Sequence, residues 1–167
     1  MLPVRQTGFC SRVGGSHHAG STSNRVELRP HRVRPFINLG NALRRRFLKL
    51  RVNADLEKAI SLNQSALNLR PSGHQNRSDS LHSLALCFSH RYDKQASMVD
   101  LEEAITLGRA APELCSPSHY DRASTLYNLA YDLWRRFLKL GANVDLEEEI
   151  LLHRSALDLR PVGYPDR

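Results

Sequence analysis

Apolar residues return at steps of three, four and seven along most of this chain. Leu126, Leu129, Ala130, Leu133, Phe137 and Leu140 form one such series. Phe36, Leu39, Gly40, Leu43, Phe47 and Leu50 form a second, and Leu81, Leu84, Ala85, Phe88 and Tyr92 a third. This spacing places each set on one face of an amphipathic helix. The small residue in each series (Gly40, Ala85, Ala130) predicts a place where another helix comes close. After the best-formed series, Gly141-Ala142-Asn143 breaks the pattern. A second helical pattern follows, with Leu146, Ile150, Ala156 and Leu157 inward and a stop at Pro161 and Gly163.

The same words recur. Arg45–Leu50 and Arg135–Leu140 both read RRFLKL, 90 residues apart. Aligning 33–77, 78–122 and 123–167 without gaps uncovers a middle copy. Asp55, Asp100 and Asp145 then coincide, each followed by Leu-Glu, as do Ile60, Ile105 and Ile150. The outer copies share 23 of 45 positions. Such self-similarity marks a repeat architecture, here three helical hairpins after a segment 1–32. That segment is rich in Gly, Ser, His and Arg and shows no apolar period, so it reads as a basic, disordered tail. Val26–Pro30 (VELRP) echoes Leu67–Pro71 and Leu157–Pro161, as the remnant of a degraded repeat would.

Two local expectations follow. Asp145 is placed to cap the second helix of its hairpin, with Glu148 three residues on completing a capping box, and Asp100 with Glu103 repeats the arrangement. Pro112 stands where Leu67 and Leu157 stand, so the second helix of the middle copy should stop or kink near Ala110.

Composition narrows the function classes. The net charge of +7 lies mostly in residues 1–35, where six arginines face one acid; residues 36–167 are close to balanced. A nucleic-acid partner is therefore not expected of the folded part. The three cysteines, Cys10, Cys87 and Cys115, have no paired spacing, which argues against a disulfide framework or a zinc site and for a reducing, cytoplasmic setting. The Arg-rich, acid-poor tail gives a mitochondrial address as the alternative. No stretch is long and apolar enough for a membrane span. Phosphate loops, zinc-protease motifs and nucleophile elbows are missing, so no enzyme, metal or cofactor is expected.

The series Leu126, Leu129-Ala130, Leu133, followed by Ala156 and Pro161, resembles the tetratricopeptide repeat. Its longer period resembles the repeats of kinesin light chains and of fungal tetratricopeptide arrays. The resemblance spans 33–167. It implies an all-α fold, an α-solenoid of helix-turn-helix repeats in a right-handed superhelix. It also implies a non-enzymatic scaffold that holds a peptide or partner helix in a concave groove lined by first helices. In the family an asparagine after the first-helix leucine faces that groove. Asn38 and Asn128 match it, and Ser83 replaces it in the middle copy. Arg34, Asn41, Arg45, Tyr131 and Arg135 should share the wall, with Asp79, Leu86 and His90 in the middle copy. The alternative implied is a regulatory or oligomerisation fragment of a larger NLR-like or CHAT-associated repeat protein. Self-association through an uncapped last repeat belongs to that alternative.

The arginines admit two readings. Arg45 and Arg135 could grip acidic groups of a ligand. Arg46, Arg91 and Arg136 recur in all three copies. They end first helices where acidic residues open second ones, so they should offset charge within each hairpin.

Overall fold

The computed structural model describes residues 33–74, 76–113 and 120–159, and every regular element among them is a helix. The basic tail, Cys10, Cys115 and the expected stop at Pro161 and Gly163 lie outside the described residues. The helices are α1 (Val33–Leu50), α2 (Asn53–Asn68), α3 (Arg77–Gln95), α4 (Met98–Glu113), α5 (Tyr120–Leu140) and α6 (Asn143–Asp158). Each packs on the next in sequence. The backbones of first helices of adjoining hairpins also come close (α1 to α3, α3 to α5), whereas those of second helices stay farther apart. Three hairpins therefore stand in a row, closest together along the α1–α3–α5 side. None of these helices is long and apolar enough to cross a membrane.

Each hairpin turns in the same way. Arg51, Ala96 and Gly141, one repeat apart, adopt left-handed backbone angles (φ 58°, 55° and 69°). Their N–H groups donate to the carbonyls of Phe47, Tyr92 and Phe137, each at 2.7 Å. This is the left-handed helix cap that glycine favours, because a Cβ costs about 1 kcal/mol there. Only Gly141 has the preferred residue. Ala96→Gly should therefore raise stability by about 1 kcal/mol, read as a shift of the urea midpoint with an unchanged slope.

The three aspartates do not cap. The second helices begin two residues before them, after Val52 and Ala142 in α2 and α6, and these cap positions make no side-chain bond. The carboxylates are claimed by arginine forks instead. Arg46 Nε and Nη2 donate to Asp55 at 2.6 and 2.5 Å. Arg91 holds Asp100 at 2.9 and 2.6 Å, and Arg136 holds Asp145 at 2.9 and 2.6 Å. All three carboxylates are buried. The third nitrogen links hairpins: Arg91 Nη1 donates to Glu57 at 3.0 Å and Arg136 Nη1 to Glu102 at 2.8 Å. Glu148, expected in a capping box, is instead gripped by Arg109 of α4. A fork nine residues upstream wins because it supplies two bonds between opposite full charges where a cap supplies one bond from a neutral N–H. These bonds hold the Asp55 and Asp145 carboxyls below the ordinary range.

Apolar contacts cross from hairpin to hairpin. Phe47, Leu56 and Ala59 meet Cys87 of α3. Leu67 meets Leu81, Leu84 and Ala111. Tyr92, Leu101 and Ile105 meet Leu129 and Leu133. At Gly40 an added Cβ would lie 2.9 Å from Asn63 Nδ2, so the small residue there does mark a close helix approach.

Two sequence expectations need correction. Leu39 is 50% exposed although its counterparts Leu84 and Leu129 are at 1% and 3%, and Leu157 is 69% exposed against 7% for Leu67. Periodicity identifies the apolar face but not whether a neighbouring hairpin covers it, and these leucines face the two ends of the row. Pro112 does not stop α4 near Ala110; the helix runs to Glu113. The proline lies in the last turn, where its missing N–H removes only one hydrogen bond.

Candidate functional site

The α1–α3–α5 side holds a cavity of about 320 Å³, lined by Ile37, Asn41 and Arg44 of α1, by Ser78, Asp79, His82, Ser83 and Leu86 of α3, and by Thr125 of α5. One position per helical turn supplies the α1 wall. The next hairpin closes it with short side chains, Ser78 and Ser83, which leave the space open.

Two atoms in this wall are buried without a protein partner, Asn41 Oδ1 and Arg44 Nε. One is an acceptor and the other a donor, and a buried polar atom left unpaired costs about 1–3 kcal/mol. Burial also lowers the pKa of Arg44 from its ordinary value. Its Nη1 lies 3.1 Å from His90 Nε2. Because arginine can only donate, that ring nitrogen accepts, which leaves the His90 proton on Nδ1, 3.7 Å from Asp93 Oδ2. On the opposite wall Thr125 Oγ1 is 3.0 Å from His82 Nδ1.

A polar line leads away from this cavity towards α5. Arg135 reaches Asp93 with one nitrogen and, with another, Ser89 Oγ at 2.9 Å and Asp132 Oδ1 at 3.1 Å. Its guanidinium lies over the Tyr131 ring, 4.1 Å from the centroid, and Tyr131 stacks on Trp134 at 5.6 Å. Burial pushes the Asp132 carboxyl up to about 6, against the pull of Ser89 and Arg135. Arg135 is divided between two acids, so Asp132 keeps most of its desolvation penalty. The sign follows from linkage. The folded state binds this proton more tightly than the unfolded chain, so the contribution to stability is full below pH 4 and is lost as pH rises through 6. Asp132→Asn has no such titration. Its stability relative to the native chain should therefore rise by about 2 kcal/mol between pH 4 and pH 7, measured by urea unfolding at each pH.

The structure divides the residues expected in the groove. Asn41 and Ser83 line the cavity, together with Asp79 and Leu86. Tyr131 and Arg135 lie side by side on α5, with Arg135 engaged in the polar line. His90 joins that line to Arg44. Asn38 and Arg45 are exposed on α1, and Asn128 is half-buried on α5. Arg44 was hidden in the sequence, where it reads as one of a cationic cluster ending a helix. It meets His90, a residue 46 positions away, and no local pattern signals that pairing.

The buried Cys87 thiol faces Asn63 Nδ2 at 3.5 Å. Its pKa is pushed up to about 11 by burial, so it is a packing group and not a nucleophile. Asn63, in a formal glycosylation sequon, is fully buried in α2 and cannot accept a glycan. His153 packs edge-on against Tyr127 at 5.4 Å. No group of three or more metal-ligating side chains comes together among the described residues.

No protein-family model matches this chain, and neither does any curated protein sequence.

Proposed function

We propose that this chain is a non-catalytic binding scaffold. It is an α-solenoid of tetratricopeptide-like hairpins with the right-handed sense the resemblance implies, and it holds an extended peptide or partner helix along its α1–α3–α5 side. The observation that carries this reading is the cavity with its unpaired acceptor and donor. A peptide group presents one N–H and one C=O, which Asn41 Oδ1 and Arg44 Nε can satisfy. The neighbouring register supports it. Tyr127 and Tyr131 of α5 occupy the repeat positions of His82 and Leu86, which line the cavity, and both are exposed along with Trp134. Aromatic side chains beside a preformed pocket are the usual anchors of a protein interface. Closer packing along the first helices than along the second supports the solenoid.

A random peptide library displayed on phage and selected against the chain tests the reading. Enriched peptides should bind Asn41→Leu and Ser83→Leu at least about tenfold more weakly than the native chain, as expected when the cavity is filled and its acceptor removed. Peptides that bind both variants as well as the native chain would contradict the assignment, as would a selection that enriches nothing.

A further inference from the structure

Each internal junction of the row carries the same polar mark. The arginine of the later hairpin reaches back to a glutamate of the earlier one, Arg91 to Glu57 and Arg136 to Glu102. Half of this mark is left over at each end. Arg46 binds Asp55 through Nε and Nη2, while its Nη1 has no partner among the described residues. Its side chain is 57% exposed, against 23% for Arg91 and 15% for Arg136. At the other end, Glu147 holds the register of Glu57 and Glu102. It is exposed and has no partner among the described residues.

We propose that these ends bind each other between copies: the α6 side of one chain packs on the α1 side of a second, and Glu147 receives the free Nη1 of the second copy's Arg46. The repeat itself argues that the faces fit. The α6 side presents Ile150 and Leu157 where α2 presents Ile60 and Leu67, and those two pack on Leu81 and Leu84 of α3. The α1 side presents Leu39 and Leu43 where α5 presents Leu129 and Leu133, which pack on Leu101 and Ile105. Each face thus repeats a surface already used inside the molecule, and its charge mark has the complementary sign.

The contact joins two different surfaces, so every added copy leaves one of each free and association is open-ended. One register works against it. The geometry that joins Arg109 to Glu148 would bring Arg154 against Lys58 of the second copy, a like-charge pair. That repulsion weakens the contact and provides a sharp probe of its register.

Sedimentation velocity of the full chain across a wide concentration range is the test. The native chain should form species larger than 18.9 kDa as concentration rises. Leu157→Asp and Glu147→Arg change exposed side chains and should keep the helical circular dichroism while remaining monomeric. Lys58→Glu should associate at about fivefold lower concentration, because a repulsion becomes an ion pair. A single 18.9 kDa species at every concentration would overturn the proposal and leave these faces to a partner of another kind. Association that survives both Leu157→Asp and Glu147→Arg would overturn it too.

Discussion

Phe47→Ala is expected to cost about 4 kcal/mol of stability, whereas Phe137→Ala, the same substitution in the same six-residue word, should cost about 2. Phe47 is fully buried, and its ring fills the space between α1, Leu56 and Ala59 of α2, and Cys87 of the next hairpin. Removing it takes away the ring's transfer energy and leaves a cavity enclosed on every side by helices of two hairpins. Large-to-small changes of this kind cost about 3–5 kcal/mol. Phe137 is only half-buried, since no described hairpin follows α6 to cover its outer side. Part of its surface is already wet, and any space left behind opens to solvent. Urea unfolding of the two variants gives the comparison directly. Equal costs would mean that the last hairpin is covered as fully as the first, contrary to the exposure of Ile150 and Leu157.

Arg91→Met should cost about 3 kcal/mol. The methionine keeps much of the stem's packing but strips the buried Asp100 carboxylate of both its fork bonds. It also removes the link to Glu57, so a hairpin and a junction are weakened by one change. Breaking a buried ion pair from one side costs about 3–5 kcal/mol, because the orphaned charge remains desolvated. Arg91 is partly exposed, which places the expectation at the low end. The double variant Arg91→Met, Asp100→Asn removes the orphaned charge and should recover about half of the loss. A double variant less stable than Arg91→Met alone would show that the fork matters for its shape and not for its charge.

The repeat, its three hairpins and the pairing of basic with acidic helix ends were all legible in the sequence, because period and composition are local properties. The partners inside that pairing were not. Asp145 looks like a cap when judged by its nearest neighbours, but a fork from Arg136, nine residues back across a two-residue turn, outcompetes a single backbone N–H. Reading that fork requires the turn geometry set by the left-handed residues at 51, 96 and 141. The exposure of Leu39 and Leu157 was equally hidden, since an apolar stripe looks the same whether or not another hairpin covers it. At the cavity, the positions of Asn41 and Ser83 could be named from the resemblance. The pairing of Arg44 with His90 and the cavity wall at Ser83 cannot be shown by a repeat pattern, because both positions differ between copies.

The most direct test of the account is a ¹H–¹⁵N NMR titration of the chain with a peptide from the library selection. The account predicts that the side-chain amide of Asn41, the guanidinium signal of Arg44 and the backbone amides of Ser83 and Tyr131 shift together, with α2, α4 and α6 little affected. Shifts confined to α2, α4 and α6, with Asn41 and Arg44 unmoved, would contradict it.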